Sequence, residues 1–197
     1  MPAMKIIEPT QFGPTFRFSD ANVYWALHTL SDGRRIGRKR LAEIIGVGEG
    51  SMRKIVDTLK ERNLISVRQT GITITKVGQV FLDNVPIKVV DVKLEESVVG
   101  MYSQGILVMG VAEKVHNGMQ QRDAGIKAGA AGCTTIVIRD GSLTVPPDWN
   151  IDEKDPDNAY IIRRDTGITQ NDIIIIGSAD TKILAIEAAV KAAFELI

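Results

Sequence analysis

An α+β chain of two domains is what three features of this 197-residue sequence predict. Residues 37–63 hold two amphipathic helical patterns around a glycine-rich turn, and two short β-branched runs follow them. Charge is divided unevenly: residues 1–85 carry 13 Lys and Arg against 8 Asp and Glu, residues 86–197 carry 11 against 16, and the total is zero. At Pro86 the texture changes from helical periodicity to long apolar runs broken by glycine. The domains are therefore set at 1–85 and 86–197, each long enough to bury a core without metals or disulfides.

In the first domain, residues 1–18 place Phe12, Phe16 and Phe18 among Pro9, Gly13 and Pro14, which favours an extended strap. Ser19 or Asp20 caps a helix to about residue 30, with Val23, Ala26, Leu27 and Leu30 on one side. Ser31-Asp32-Gly33 is a turn, and five of the seven residues 34–40 are cationic. The next helix buries Leu41, Ile44 and Ile45. Gly46-Val47-Gly48 makes the corner, because glycine permits the tight turn and Val47 plugs the angle. In the second helix Met52, Ile55, Val56 and Leu59 fall at i, i+3, i+4 and i+7, so the opposite face is left polar. Residues 64–67 and 72–75 alternate as two strands around the polar tip Arg68-Gln69-Thr70-Gly71. Thr75 then caps a further helix that buries Val77, Val80, Phe81 and Val85.

The stretch LAEIIGVGEGSMRKIVDTLKERNLISVRQTGITITKVGQVFL resembles the winged helix-turn-helix modules of microbial transcription regulators. Double-stranded DNA is the expected partner. The start of a recognition helix reaches base edges in the major groove, which selects Glu49 and Ser51 in its first turn and Arg53 and Lys54 beyond it. Arg53 can grip guanine with two hydrogen bonds, and Ser51 can donate to phosphate or base. Lys54, Arg38, Lys39 and Arg40 suit phosphates, while Arg68, Gln69 and Thr70 at the tip reach the backbone or a minor groove. A basic front attracts a polyanion that the acidic back repels.

The second domain is expected to be a small α/β sandwich with a mixed sheet and two helices. Strands are placed at 89–94, 105–112, 133–139, 142–145, 160–164 and 172–176, with a tight turn at Asp140-Gly141. Helices are placed at 114–131 and 181–196, the latter burying Ile183, Leu184, Ala188 and Phe194. Residues 146–157 are read as a loop. HNGMQQRDAGIKAGAAGCTTIVIRDGSLTVP and DIIIIGSADTKILAIEAAVKAAFEL resemble the C-terminal domain of archaeal two-domain winged-helix proteins, whose second domain has no established function. That resemblance covers essentially the whole chain and implies a transcriptional regulator without supplying a ligand. A homodimer, a small-molecule effector, or both are the partners expected of this domain, with a hinge at 84–88. Candidate ligand contacts are Arg122 together with Gly177, Ser178 and Asp180, where the most apolar strand meets the last helix. Asp180 is expected to cap that helix.

Other chemistry finds little support. Cys133 is the single cysteine and lies in an apolar run, as a buried reduced thiol does in the cytosol. Pro2, Glu8, Pro9 and Pro14 interrupt any signal pattern, and no apolar run reaches the roughly 18 residues of a membrane helix, so a cytoplasmic protein is expected. His28 and His116 fall in different domains with no neighbouring Cys, which argues against zinc. GxxxxGK[ST], GxSxG and a GxGxxG after a strand are all missing, and no cofactor is assigned. The alternative is a small α/β enzyme or a protein-docking module carrying the winged helix as an appendage.

Overall fold

The structure, a computed structural model, describes residues 6, 17–92 and 100–197. The predicted strap lies outside the described residues apart from Ile6, Arg17 and Phe18, as does the end of the strand expected at 89–94. The chain divides into two compact units that meet between Val85 and Pro86.

Helix α1, Asp20–Thr29, begins at Ser19, whose backbone N–H donates to Asn22 Oδ1 at 2.8 Å. It buries Val23, Tyr24, Ala26 and Leu27. Helix α2, Arg38–Ile45, ends where Gly46 turns left-handed at φ 75°, a conformation that a side chain would strain. Helix α3, Glu49–Glu61, buries the stripe Met52, Ile55, Val56 and Leu59. On α2 the buried residues are Leu41, Ala42 and Ile45, with Ile44 and the corner residue Val47 half-buried. Strands β1, Ile65–Arg68, and β2, Gly71–Ile74, pair antiparallel from Ile65↔Ile74 to Arg68↔Gly71, leaving Gln69-Thr70 as a two-residue tip.

Helix α4, Lys76–Asn84, is capped by Thr75, whose Oγ1 accepts from Gly78 N–H at 3.0 Å. Its buried face differs from the expected one. Val85 is buried as expected, but Val77 and Val80 are 57% and 60% exposed and Phe81 is half-buried, while Gly78 and Leu82 turn inward. Gly78 decides this rotation: a Cβ there would stand 2.1 Å from the Leu64 carbonyl oxygen, so α4 rests on its glycine.

In the second unit, β3 (Ile87–Val90), β4 (Tyr102–Val108), β5 (Gly132–Arg139), β6 (Ser142–Val145), β7 (Trp149–Asn150) and β8 (Ile173–Ala179) form one sheet in the order β3-β4-β8-β5-β6-β7. The α+β class stands, but every pairing is antiparallel, so the sheet is not mixed. Helices α5, Met119–Lys127, and α8, Lys182–Phe194, pack on one face. The short α6, Ile151–Lys154, and α7, Pro156–Thr166, cover the other, where Ile151 and Ile162 meet Leu107, Ile136, Ile174 and Ile176.

Among the described residues of this unit four α-helices thus stand where two were expected. The segment read as a loop and then a strand is helical because its polar residues are caps. Asn150 Oδ1 accepts from Glu153 N–H at 3.3 Å, Asp155 Oδ1 accepts from Asn158 N–H at 3.2 Å, and Pro156 opens α7. Residues 114–131 hold a shorter helix than expected, since the left-handed Gly118 and Gly129 bound it. On α8 the buried residues are chiefly alanines, with Ile183, Leu184 and Phe194 half-buried. Among the described residues no helix is long and apolar enough to cross a membrane.

Candidate nucleic-acid interface

A groove runs between the helix pair and the hairpin of the first unit. Arg38 and Lys39 enter it from the start of α2, Glu49 and Met52 from α3, and Arg68, Gln69 and Thr70 from the hairpin. Met52, Val56 and Ile72 give it an apolar floor, so its polar groups stand at the rim. The glycine corner makes this possible: Gly46 reverses the chain within one residue, and Gly48 starts α3 in extended conformation.

Six of the ten expected contacts therefore share one concave surface: Arg38, Lys39, Glu49, Arg68, Gln69 and Thr70. The other four lie outside it. Arg53 is exposed on α3, and Ser51 and Lys54 are half-buried beside it. Arg40 Nη1 donates to Glu43 Oε2 at 3.0 Å, so its guanidinium is engaged within α2.

Arg35, counted in the cationic run but not singled out as a contact, has a defined partner. Its Nη1 donates to Thr70 Oγ1 at 2.9 Å, tying the cationic run to the hairpin tip. Next to it, Ile36 and Ile72 exchange backbone hydrogen bonds of 3.0 and 2.9 Å, an isolated bridge that adds a third edge to the hairpin. Gly71, at φ 128°, admits this contact, since a Cβ there would press on the Ile36 backbone at 3.3 Å. The available signal was Ile36, a β-branched residue inside a run of cations. Arg34 is spent locally: it hydrogen-bonds Asp32 and so holds that carboxyl below its ordinary range.

In the second unit the structure does not gather the expected ligand residues. Gly177 faces α8, where a Cβ would stand 2.3 Å from the Ala185 carbonyl oxygen, so it serves close helix packing. Ser178, the next residue along β8, points to the opposite face and is buried. Asp180 is exposed and does not cap α8. That role falls to Thr181, whose Oγ1 accepts from Leu184 N–H at 3.3 Å. Arg122 is exposed on α5. The strand-end crevice of open α/β sheets, on which the choice of these residues rests together with the amides that open α8, is not formed by a sheet whose described pairings are all antiparallel.

Residues 21–87 match the family model described as the CggR N-terminal DNA binding domain. The chain carries a DNA-binding domain. Behind this DNA-binding domain, residues 99–196 match the family described as a domain of unknown function, DUF4443. The two-domain chain is similar in structure to hypothetical protein PH0730 from Pyrococcus horikoshii OT3, with a TM-score of 0.73. That match has 23% identity and covers 91% of this chain and 93% of the other, a likeness of fold. No curated protein matches the sequence. Within the DNA-binding domain, cations at the groove rim can neutralise phosphates, while the outward face of α3 can present donors and acceptors to base edges.

Proposed function

We propose that the chain is a transcriptional regulator that binds double-stranded operator DNA through its first domain and dimerises or senses a small effector through its second. The observation that carries this reading is the shared groove of Arg38, Lys39, Arg68, Gln69 and Thr70 beside the exposed Arg53. In this reading Arg53 reads guanine, Ser51 and Lys54 support it, and Arg38, Lys39 and Arg68 take phosphates. Arg40 joins them by exchanging Glu43 for a phosphate. A homodimer would double the contact set on a two-fold symmetric site. Buried, free Cys133 suits a reducing cytoplasm.

Fluorescence anisotropy against duplex DNA over a range of salt tests the reading. Binding should fall linearly on a log–log plot, and Arg38→Ala should reduce the slope by about 0.9, the share of one phosphate contact. Selection from a randomised pool should return a symmetric motif if the chain binds as a dimer. Binding that ignores salt, or none at all, would remove the DNA-reading role and turn attention to the second domain.

A further inference from the structure

We infer that Glu49 selects cytosine at one position of the bound duplex. The inference rests on the DNA-reading role proposed above and adds a base preference to it.

Glu49 stands in the first turn of α3 and lines the same groove as Arg38, Lys39 and Arg68. It is exposed, and among the described residues it forms no ion pair, although Arg53 follows one turn later on the same helix face. Both side chains are therefore available to a ligand. A carboxylate on a surface that meets a polyanion weakens every complex alike unless a donor reaches it. In the major groove that donor is an exocyclic amino group. Cytosine presents N4–H₂ to the carboxylate, whereas guanine and thymine present acceptors that it repels. Adenine offers N6–H₂ beside the N7 acceptor, so one carboxylate oxygen would face a lone pair. The negative charge thus lowers general affinity and returns discrimination, which is how specificity is commonly gained.

The position of the two bases follows from helix geometry. Four residues of helix advance about 6 Å, less than two base steps of about 3.4 Å. The cytosine read by Glu49 and the guanine read by Arg53 then fall within two base pairs of each other.

The test uses the full chain, with selection from a randomised duplex pool and anisotropy titration of the selected site and its single-base variants. Wild type should prefer cytosine at one position about tenfold. Glu49→Gln should move that preference to adenine, whose N6 and N7 suit an amide. Glu49→Ala should lose the preference while binding the mismatched duplexes more tightly than wild type does. Arg53's guanine position should be unchanged in both variants. A selected motif with no such cytosine, or one whose cytosine preference survives Glu49→Gln, overturns the inference and leaves DNA binding intact. If Glu49 acts only as a first-turn acid on the helix dipole, Glu49→Ala will lower the thermal midpoint without altering base preference, which also overturns it. A wild-type chain that fails to bind DNA overturns the proposed function and this inference together.

Discussion

At the scale of the residue, one buried and one half-buried group make stability measurable at single atoms. Thr135 Oγ1 on β5 is fully buried without a hydrogen-bond partner among the described residues, so its desolvation is uncompensated. Thr135→Val keeps the shape and removes the unpaired group, and it should raise unfolding stability by about 1 kcal/mol in a urea titration. His28 stacks on Trp25 with ring centroids 4.8 Å apart, and burial lowers its pKa below 6.5. The folded state therefore favours neutral imidazole. Its contribution is present above the unfolded value of 6.5 and is lost as pH falls through the lower folded value. Thermal midpoints of the wild type should decline as pH drops below about 6.5, and His28→Gln should flatten that decline. Neither effect was legible in the sequence, because both arise from which residues happen to enclose the group.

At the scale of the element, legibility followed the strength of the local signal. The α3 stripe and the hairpin were readable because apolar periodicity and turn residues agree there. On α4 the same periodicity misled: Val77 and Val80 look like core, but Gly78 sets the rotation through a backbone contact that has no side-chain signature. Around residue 155 the polar caps look like loop and exposed Tyr160 like strand, although Asn158, Ala159, Ile162 and Thr166 form the buried face of α7. Asp152 shows what the pattern could not hold. Its carboxylate accepts from Leu143 N–H at 2.6 Å and pairs with Arg163, joining α6, β6 and α7. The junction of α8 with β8 gives the element-scale prediction. Gly177→Ala would drive a methyl into the Ala185 carbonyl, and chemical unfolding of the second unit should show a loss of about 3 kcal/mol. An unchanged midpoint would mean that α8 can lift from the sheet freely.

At the scale of the whole molecule, the sign of charge changes where the compact units meet. The division was visible by counting, because charge adds along a chain irrespective of fold. The order of the strands was not visible, since pairing between distant segments leaves little local trace. That order bears on how the chain is made. Strand β8 occupies the middle of its sheet and follows every other strand in sequence. A ribosome delivers all the secondary structure of the DNA-binding domain, and then both wings of this sheet, before the strand that joins them. Until residues 173–179 emerge, β4 and β5 each present a hydrogen-bonding edge with no neighbour. The second domain thus completes itself late and all at once, and its nascent form is the stage at which the chain most needs protection from its own kind.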